Sequence, residues 1–484
     1  MAQQIIAALD LGTSKSVAFV AKRDYLNRLS VMRTETIPVE IAIRRGRIFN
    51  PDETSEIISR LIRKLNNNPD VLIEKMYVGI GGQSLRSQSF NVKKVVTSGT
   101  ITKQLLDSIE DEAKNYETGV DENLGIASCE YYADGQSVST PKGIVASLIE
   151  ARFQLIVGNP CLKRNLERVF AGKDISVAEY FISPVATAEA VLTPAEKQAG
   201  CALIEFGEGV TYISIYKNKT LKYLATLPLG GIAITNDIKI CLNITEEAEA
   251  EALKINHGKA ASESNDSGSV PVNEASNSSR EIELKELNCI ITARVNEIVY
   301  NVWSLIETSG YSQALDAGIV ITGGGALLRD LPQFIRNLTG KEVRLAKATV
   351  WDNQQEIQLS PVNSCVVGLA ILGKDNCGTE KEKVTKVKER EKETMPYVFS
   401  DDELKKLEKE KKEKEKKEKK EKEKEGNQSD PQGGKGNINI IDKVKIFIEK
   451  GRSLFDEENS SNGTQAKKSA ANGNIDFEND TNKQ

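Results

Sequence analysis

Two segments of this chain, 195 positions apart, follow one plan. Residues 6–20 run along an apolar strand to Asp10, turn through Gly12, Thr13, Ser14 and Lys15, and leave along a second strand. Residues 202–216 repeat the plan, with Glu205 closing the strand and Gly207, Glu208 and Gly209 in the turn. An acid at a strand end, a glycine-containing tight turn and a returning strand make a β-hairpin. Two such hairpins imply a duplicated α/β body whose similarly built lobes face one another.

The first turn collects backbone N–H groups, two hydroxyls and one ammonium, which is a cradle for phosphate. Gly207 and Gly209 carry no Cβ, so the second turn can approach the same phosphates. Acids beside a triphosphate repel it unless a divalent cation intervenes. Asp10 and Glu205 are therefore expected to hold Mg2+ through its waters. The G-x-x-x-x-G-K-[ST] loop is absent, so this phosphate site is of another kind. One such hairpin alone would read as an ordinary turn; the repeat is what gives the reading its force.

Two further glycine groups extend the site. Gly323, Gly324 and Gly325 end a buried apolar strand and let a flat ring lie against bare backbone. Gly230 and Gly231 precede a helical stretch whose N-terminus suits phosphate oxygens, although a plain turn remains the alternative there. The single histidine, His257, reads as a polar residue at a helix end, which leaves little room for histidine-based catalysis.

These motifs resemble the actin, DnaK-chaperone and sugar-kinase superfamily, and within it the FtsA family. Residues 8–15 are similar to that family's first phosphate motif, 201–216 to its second and 318–328 to its adenosine motif. Residues 228–238 with 251–258 look like its helix presenting an acid and a lysine, here Glu251 and Lys254, to ribose and base. Residues 78–158 resemble the subdomain that FtsA carries where actin has a different one. The resemblance covers most of residues 5–373 and implies an actin-like (ribonuclease H-like) α/β fold. Its implied boundaries are lobe 1 at 1–82 and 166–197 with 361–378 returning, and an inserted subdomain at 83–165. The second lobe would take 198–228 and 312–360, with a smaller subdomain at 229–311. Glu205, Glu208 and Val210 depart from the family's Asp-x-Gly-Gly-Gly-Thr pattern, so ATP with Mg2+ is expected to bind but to turn over slowly, with no catalytic residue assigned.

Composition limits the rest. At 484 residues the chain is too long for one core. A net charge of −5 gives no general attraction to nucleic acid or anionic lipid. Seven scattered cysteines without a C-x-x-C pair argue against disulfides or zinc and fit a reducing cytosol. The N-terminus has no secretory pattern, and no apolar stretch reaches spanning length. Residues 260–279, rich in Ser, Asn and Glu, are expected to form a disordered insertion.

From 379 to 437 the sequence is a charged linker. Twenty of the 21 residues at 405–425 are Lys or Glu, twelve against eight, too nearly balanced to bind nucleic acid. At 438–456, Ile441, Val444, Phe447, Ile448, Leu454 and Phe455 make the apolar side of an amphipathic helix suited to a membrane interface, and 457–484 reads as a disordered tail. The resemblance implies such a membrane-targeting helix at the cytoplasmic face of the inner membrane. It also implies head-to-tail self-assembly at the division site, recruitment of other division proteins, and docking of the FtsZ C-terminal peptide on the second lobe's smaller subdomain, where the helical stretch carrying Arg294 and Glu297 is the candidate surface. A pilus-associated relative of the same body and a sugar kinase of the same superfamily are the competing readings.

Overall fold

The computed structural model describes residues 4–67, 71–261, 267–273, 279–352 and 355–380. The expected linker, membrane helix and tail lie outside the described residues.

The chain opens with β1 (Gln4–Leu11), β2 (Lys15–Arg23) and β3 (Leu29–Pro38), then a short hairpin, β4 (Ile43–Arg44) and β5 (Arg47–Ile48). Helix α1 (Pro51–Asn66) follows, capped by the Asn50 side chain accepting from the Glu53 N–H, and then β6 (Val71–Ile73) and β7 (Lys75–Ile80). An excursion comprises β8 (Arg86–Val95), α2 (Lys103–Lys114), β9 (Glu122–Ala133), β10 (Gln136–Val138) and β11 (Leu148–Gly158). Helix α3 (Cys161–Phe170), β12 (Ser176–Ile182), α4 (Ser183–Val191) and α5 (Pro194–Ala199) lead to the second lobe.

There the hairpin recurs as β13 (Cys201–Phe206) and β14 (Thr211–Lys217), joined by β15 (Thr220–Leu227). Then come α6 (Gly231–Cys241), α7 (Glu247–His257), β16 (Ser269–Asn273), β17 (Ser279–Glu283), the long α8 (Leu284–Thr308), β18 (Ile319–Thr322), α9 (Leu331–Thr339) and β19 (Val343–Leu345). The body ends with β20 (Thr349–Asp352), β21 (Gln355–Gln358), α10 (Ser364–Leu372) and β22 (Gly378–Glu380).

Two mixed sheets share one topology. The first runs β12-β7-β1-β2-β3-β20-β21 and the second β15-β14-β13-β18-β19. In each, the hairpin supplies antiparallel central strands, while β7 lies parallel to β1 and β18 parallel to β13. Alternation along β13 divides the second sheet between two cores. Cys201 and Leu203 pack with the first lobe, whereas Ala202, Ile204 and Phe206 pack under α6 and α8. The sheets are thus fastened face to core.

Two differences from the sequence reading have physical causes. The return to the first lobe begins at β20, not at 361, because Trp351 pairs with Ser30 and Val350 is buried in the first core. Within 260–279, the buried Val270 and Val272 alternate with the exposed Ser269 and Pro271, so β16 pairs with β17 and buries both valines despite a polar average composition. Ala260 is buried as well. Among the described residues, no helix is long and apolar enough to cross a membrane.

The excursion forms a sheet of its own, β10-β9-β11-β8, with a separate small core under α2. It touches the second lobe along β15 through side chains. Ser128 donates to the Leu221 carbonyl (2.8 Å), the Leu224 N–H donates to Ser87 (2.8 Å) and Thr226 donates to the Leu85 carbonyl (2.6 Å). Lys222 pairs with Glu130, which also accepts from Thr220 (3.2 Å), and both charged side chains are largely covered. Lys222→Ala strands Glu130 and should cost about 1–2 kcal/mol. Hydrogen exchange should then speed up in 128–133 and 221–224 without a change elsewhere; unchanged protection there would show that the seam does not depend on this pair.

Candidate functional site

The two hairpin turns are closed in the same way. Gly12 N–H donates to the Lys15 carbonyl (3.0 Å) and Gly207 N–H to the Val210 carbonyl (2.9 Å). A Cβ on either glycine would stand 2.7 Å from the carbonyl it bonds. The tips meet: a Cβ on Gly209 would lie 2.8 Å from Thr13 Oγ1 and 3.0 Å from the Cα of Arg45. Ser14 is exposed, and its carbonyl accepts from the Val39 N–H (2.8 Å). The sequence repeat therefore becomes two turns in contact across the lobes.

Behind the turns lie the two acids. Asp10 accepts from Cys365 Sγ at 3.3 Å, and burial pushes its pKa up, opposed by that bond and by Lys15. Burial also pushes Glu205 up, to about 8, and the Asp10 charge adds to the rise. Asp10 and Glu205 thus share one poorly solvated region. Glu205 Oε2 is shielded from solvent and has no hydrogen-bond partner among the described residues. Glu208 is likewise raised, chiefly by burial, with Lys254 opposing. Lys15 lies in the fields of Asp10 and Glu208, while its own burial lowers its pKa.

An orphaned carboxylate oxygen beside a second acid is what a divalent cation would satisfy. Mg2+ is held by one or two carboxylates and otherwise by water and phosphate. Among the described residues no group of three His, Cys, Asp or Glu side chains is placed to hold a metal. The donor set therefore fits a hydrated cation completed by phosphate oxygens.

The remaining predicted residues are placed as follows. Gly231 N–H donates to the Gly207 carbonyl (3.0 Å) and Ile232 N–H to the Glu208 carbonyl (2.9 Å), so the first donors of α6 clasp the second turn and are not free for phosphate. Gly230 permits this clasp, since a Cβ there would come within 2.5 Å of both carbonyls. The expectation of an open helix N-terminus is corrected accordingly.

Lys254 Nζ donates to the Gly231 carbonyl (3.0 Å) and Thr235 Oγ1 (2.8 Å) and pairs with Glu251 (2.6 Å), which uses its three donors. Of the three glycines after β18, Gly323 has φ 87° and leaves no room for a Cβ, which would be 2.4 Å from the Phe206 carbonyl. Gly325 also abuts Phe206, whereas Gly324 is exposed and uncrowded. Gly207, Gly230, Gly231 and Gly325 line a narrow pocket whose apolar walls include Phe206, Ile234 and Ile298. Bare backbone opposite apolar side chains suits a flat ring.

Arg294 is not available as expected: it makes a bidentate pair with Asp237 (2.5 and 2.8 Å), tying α8 to α6, and also pairs with Glu297. Sequence reasoning missed Cys365, Tyr212 and the β4–β5 tip. The Tyr212 hydroxyl accepts from the Gly82 N–H (2.7 Å) and thereby joins the second hairpin to the first lobe. The Arg45-Gly46 tip was readable as a tight turn, but nothing in the sequence pattern places it against the other two.

Two matched sheets, each contributing an acid-bearing hairpin to one cleft, define an actin-like protein. In agreement, the solved structure described as "PilM-PilN type IV pilus biogenesis complex" superposes with a TM-score of 0.53 at 13% identity, covering 76% of this chain and 97% of that one. The family model described as "Cell division protein FtsA" matches residues 202–368. The cell division protein FtsA of Porphyromonas gingivalis is 31% identical over 381 residues, covering 77% of this chain and 79% of its own length. That of Neisseria meningitidis serogroup B is 27% identical, covering 76% and 89%. The chain belongs to the FtsA family of cell division proteins.

Proposed function

We propose that this chain binds ATP with Mg2+ between its two hairpins and uses nucleotide occupancy to bias self-assembly while it ties FtsZ to the cytoplasmic face of the membrane at the division site. The observation that carries the nucleotide reading is the contact of Thr13 with Gly209 in front of the two buried acids. Bound Mg2+ supplies positive charge that offsets both the acids and the phosphates. Thr13, Ser14 and Lys15 then orient the phosphate chain, Asp10 and Glu205 hold the water shell of the cation, and the pocket under α8 takes the base. Because the two turns belong to different lobes, a ligand held by both changes their relative stability in open and closed arrangements. A head-to-tail contact sensitive to that arrangement would extend into a filament. The family relation supports the division role, other division proteins as partners, and docking of the FtsZ C-terminal peptide on the α8 side of the second lobe. At that surface the Arg294–Asp237 pair would have to open for Arg294 to meet an acidic peptide.

Three measurements on the purified full chain test this reading: Mg-ATP binding by calorimetry, binding of the FtsZ C-terminal peptide, and sedimentation with liposomes. Deleting residues 438–456 should abolish lipid sedimentation and leave Mg-ATP affinity within about twofold, a change below 0.5 kcal/mol. Sedimentation that survives the deletion, or a wild-type chain that binds neither nucleotide nor peptide, would remove the corresponding part of the proposal.

A further inference from the structure

A third turn meets the two hairpin tips. Between β4 and β5, Arg45 and Gly46 both have positive φ, 50° and 69°. Gly46 N–H donates to Thr13 Oγ1 (3.0 Å), and the Arg45 carbonyl accepts from the Gln83 N–H (3.1 Å). A Cβ on Gly46 would lie 3.0 Å from the Gly82 Cα and 3.1 Å from the Tyr212 hydroxyl. On the other side, the Arg45 Cα is the backbone atom that crowds Gly209. The tip is thus wedged against the first turn by Thr13 and against the second by Gly209 and Tyr212.

Two-residue turns with positive φ at both positions favour Asn, Asp or Gly. Arginine has no local reason to occupy the first of them, and such outliers gather at ligand clamps. The three arginines of the hairpin differ in their surroundings. The Arg44 guanidinium stacks over the Phe49 ring at 4.2 Å, and Arg47 is partly covered within β5. Arg45 is exposed and has no hydrogen-bonded or ionic side-chain partner among the described residues. Meanwhile the cleft is short of positive charge. Asp10 and Glu208 act on Lys15, Glu205 lies beside Asp10, and Lys254 is fully used by Gly231, Thr235 and Glu251. A ligand with several negative charges held between the turns therefore lies within one side-chain length of an uncommitted guanidinium.

We infer that Arg45 is a specificity-determining residue that binds the terminal phosphate of a nucleoside triphosphate held between the two hairpins, so that the β4–β5 turn distinguishes tri- from diphosphate. The inference rests on the nucleotide reading given above and adds to it the residue that reads the last phosphate. Guanidinium is suited to the task because its planar fork can donate two bonds to one phosphate.

Arg45→Gly tests this without threatening the turn, since glycine adopts positive φ freely. Calorimetry on the full chain should show Mg-ATP affinity falling about tenfold or more, as expected for losing a charge-assisted bond, with Mg-ADP affinity changed less than threefold. Arg47→Gly removes the same charge from the same hairpin and should leave the ATP-to-ADP ratio within about threefold of wild type. An Arg45→Gly protein that binds both nucleotides as wild type does, or loses both equally, overturns the inference while leaving the nucleotide site standing. Wild-type protein that binds neither nucleotide overturns both.

Discussion

Glu205→Gln is expected to raise the melting temperature of the ligand-free protein at pH 8.5, leave it nearly unchanged at pH 5, and weaken Mg-ATP binding by about tenfold to a hundredfold. The first two effects follow from linkage. In the fold Glu205 keeps its proton to about pH 8, whereas an unfolded chain releases it near the ordinary value of 4.5. Between those values the unfolded state binds fewer protons than the folded one, so stability falls as pH rises, and the loss is complete above pH 8. Each tenfold change in proton affinity is worth about 1.4 kcal/mol, which bounds the effect at ~5 kcal/mol. Asp10 and Glu208 are raised by the same burial and persist in the variant, so the slope should shrink without vanishing. A neutral amide in place of the orphaned Oε2 removes the buried charge that causes the loss.

Adding Mg-ATP should invert the order. Wild type gains stability in proportion to the logarithm of ligand over dissociation constant, while the variant gains little. Differential scanning calorimetry at the two pH values, with and without Mg-ATP, separates the effects. A variant that melts lower than wild type at pH 8.5 without ligand, or that keeps the full Mg-ATP increment, would show that Glu205 is not a strained cation holder.

How much of this was readable beforehand depends on the range of the interaction. Asp10, Gly12, Glu205 and Gly207 are legible because the chemistry of a hairpin turn is local, and a repeated local pattern implies repeated structure. Cys365 lies 355 positions from the Asp10 it touches, on a helix that is apolar all round and has no polar face to set its orientation, so no periodicity announces the contact. Arg294 looks like a solvated helix charge until α6 brings Asp237 beside it, 57 positions away. Lys254, which the resemblance assigns to ribose and base, closes its donors onto Thr235 and Gly231 across a helix pair that sequence spacing does not specify. Val270 and Val272 were hidden by averaging, since a two-residue alternation vanishes inside a polar window.

The largest loss of stability is expected from Gly368→Ala, a substitution that helix propensity alone would favour. Glycine inside a helix is about 1 kcal/mol worse than alanine, so an isolated α10 would gain. In the fold, however, a Cβ on Gly368 would stand 1.9 Å from the Ala186 carbonyl oxygen and 2.3 Å from its carbon. Those are backbone atoms of α4, with no flexible side-chain end to yield. Nor can α10 slide, because Arg23 donates to the carbonyls of Ala370 (2.6 Å) and Ile371 (2.9 Å) at its C-terminal end. The helices must separate, and both lie in the core of the first lobe. Overpacking of this kind costs 1–3 kcal/mol where side chains can adjust, so ~3 kcal/mol or more is expected here. Function should fall with stability, because the same helix carries Cys365, which holds Asp10, and Ser364, which bonds Thr322 of the second lobe at 2.8 Å. Gly324→Ala serves as the control: its nearest neighbour would be a Val362 methyl at 3.4 Å, and a change within about 0.5 kcal/mol is expected. Denaturant titration of the two variants decides the matter. A Gly368→Ala protein as stable as wild type would mean that α4 and α10 are not in backbone contact, and that the support of Asp10 must come from elsewhere.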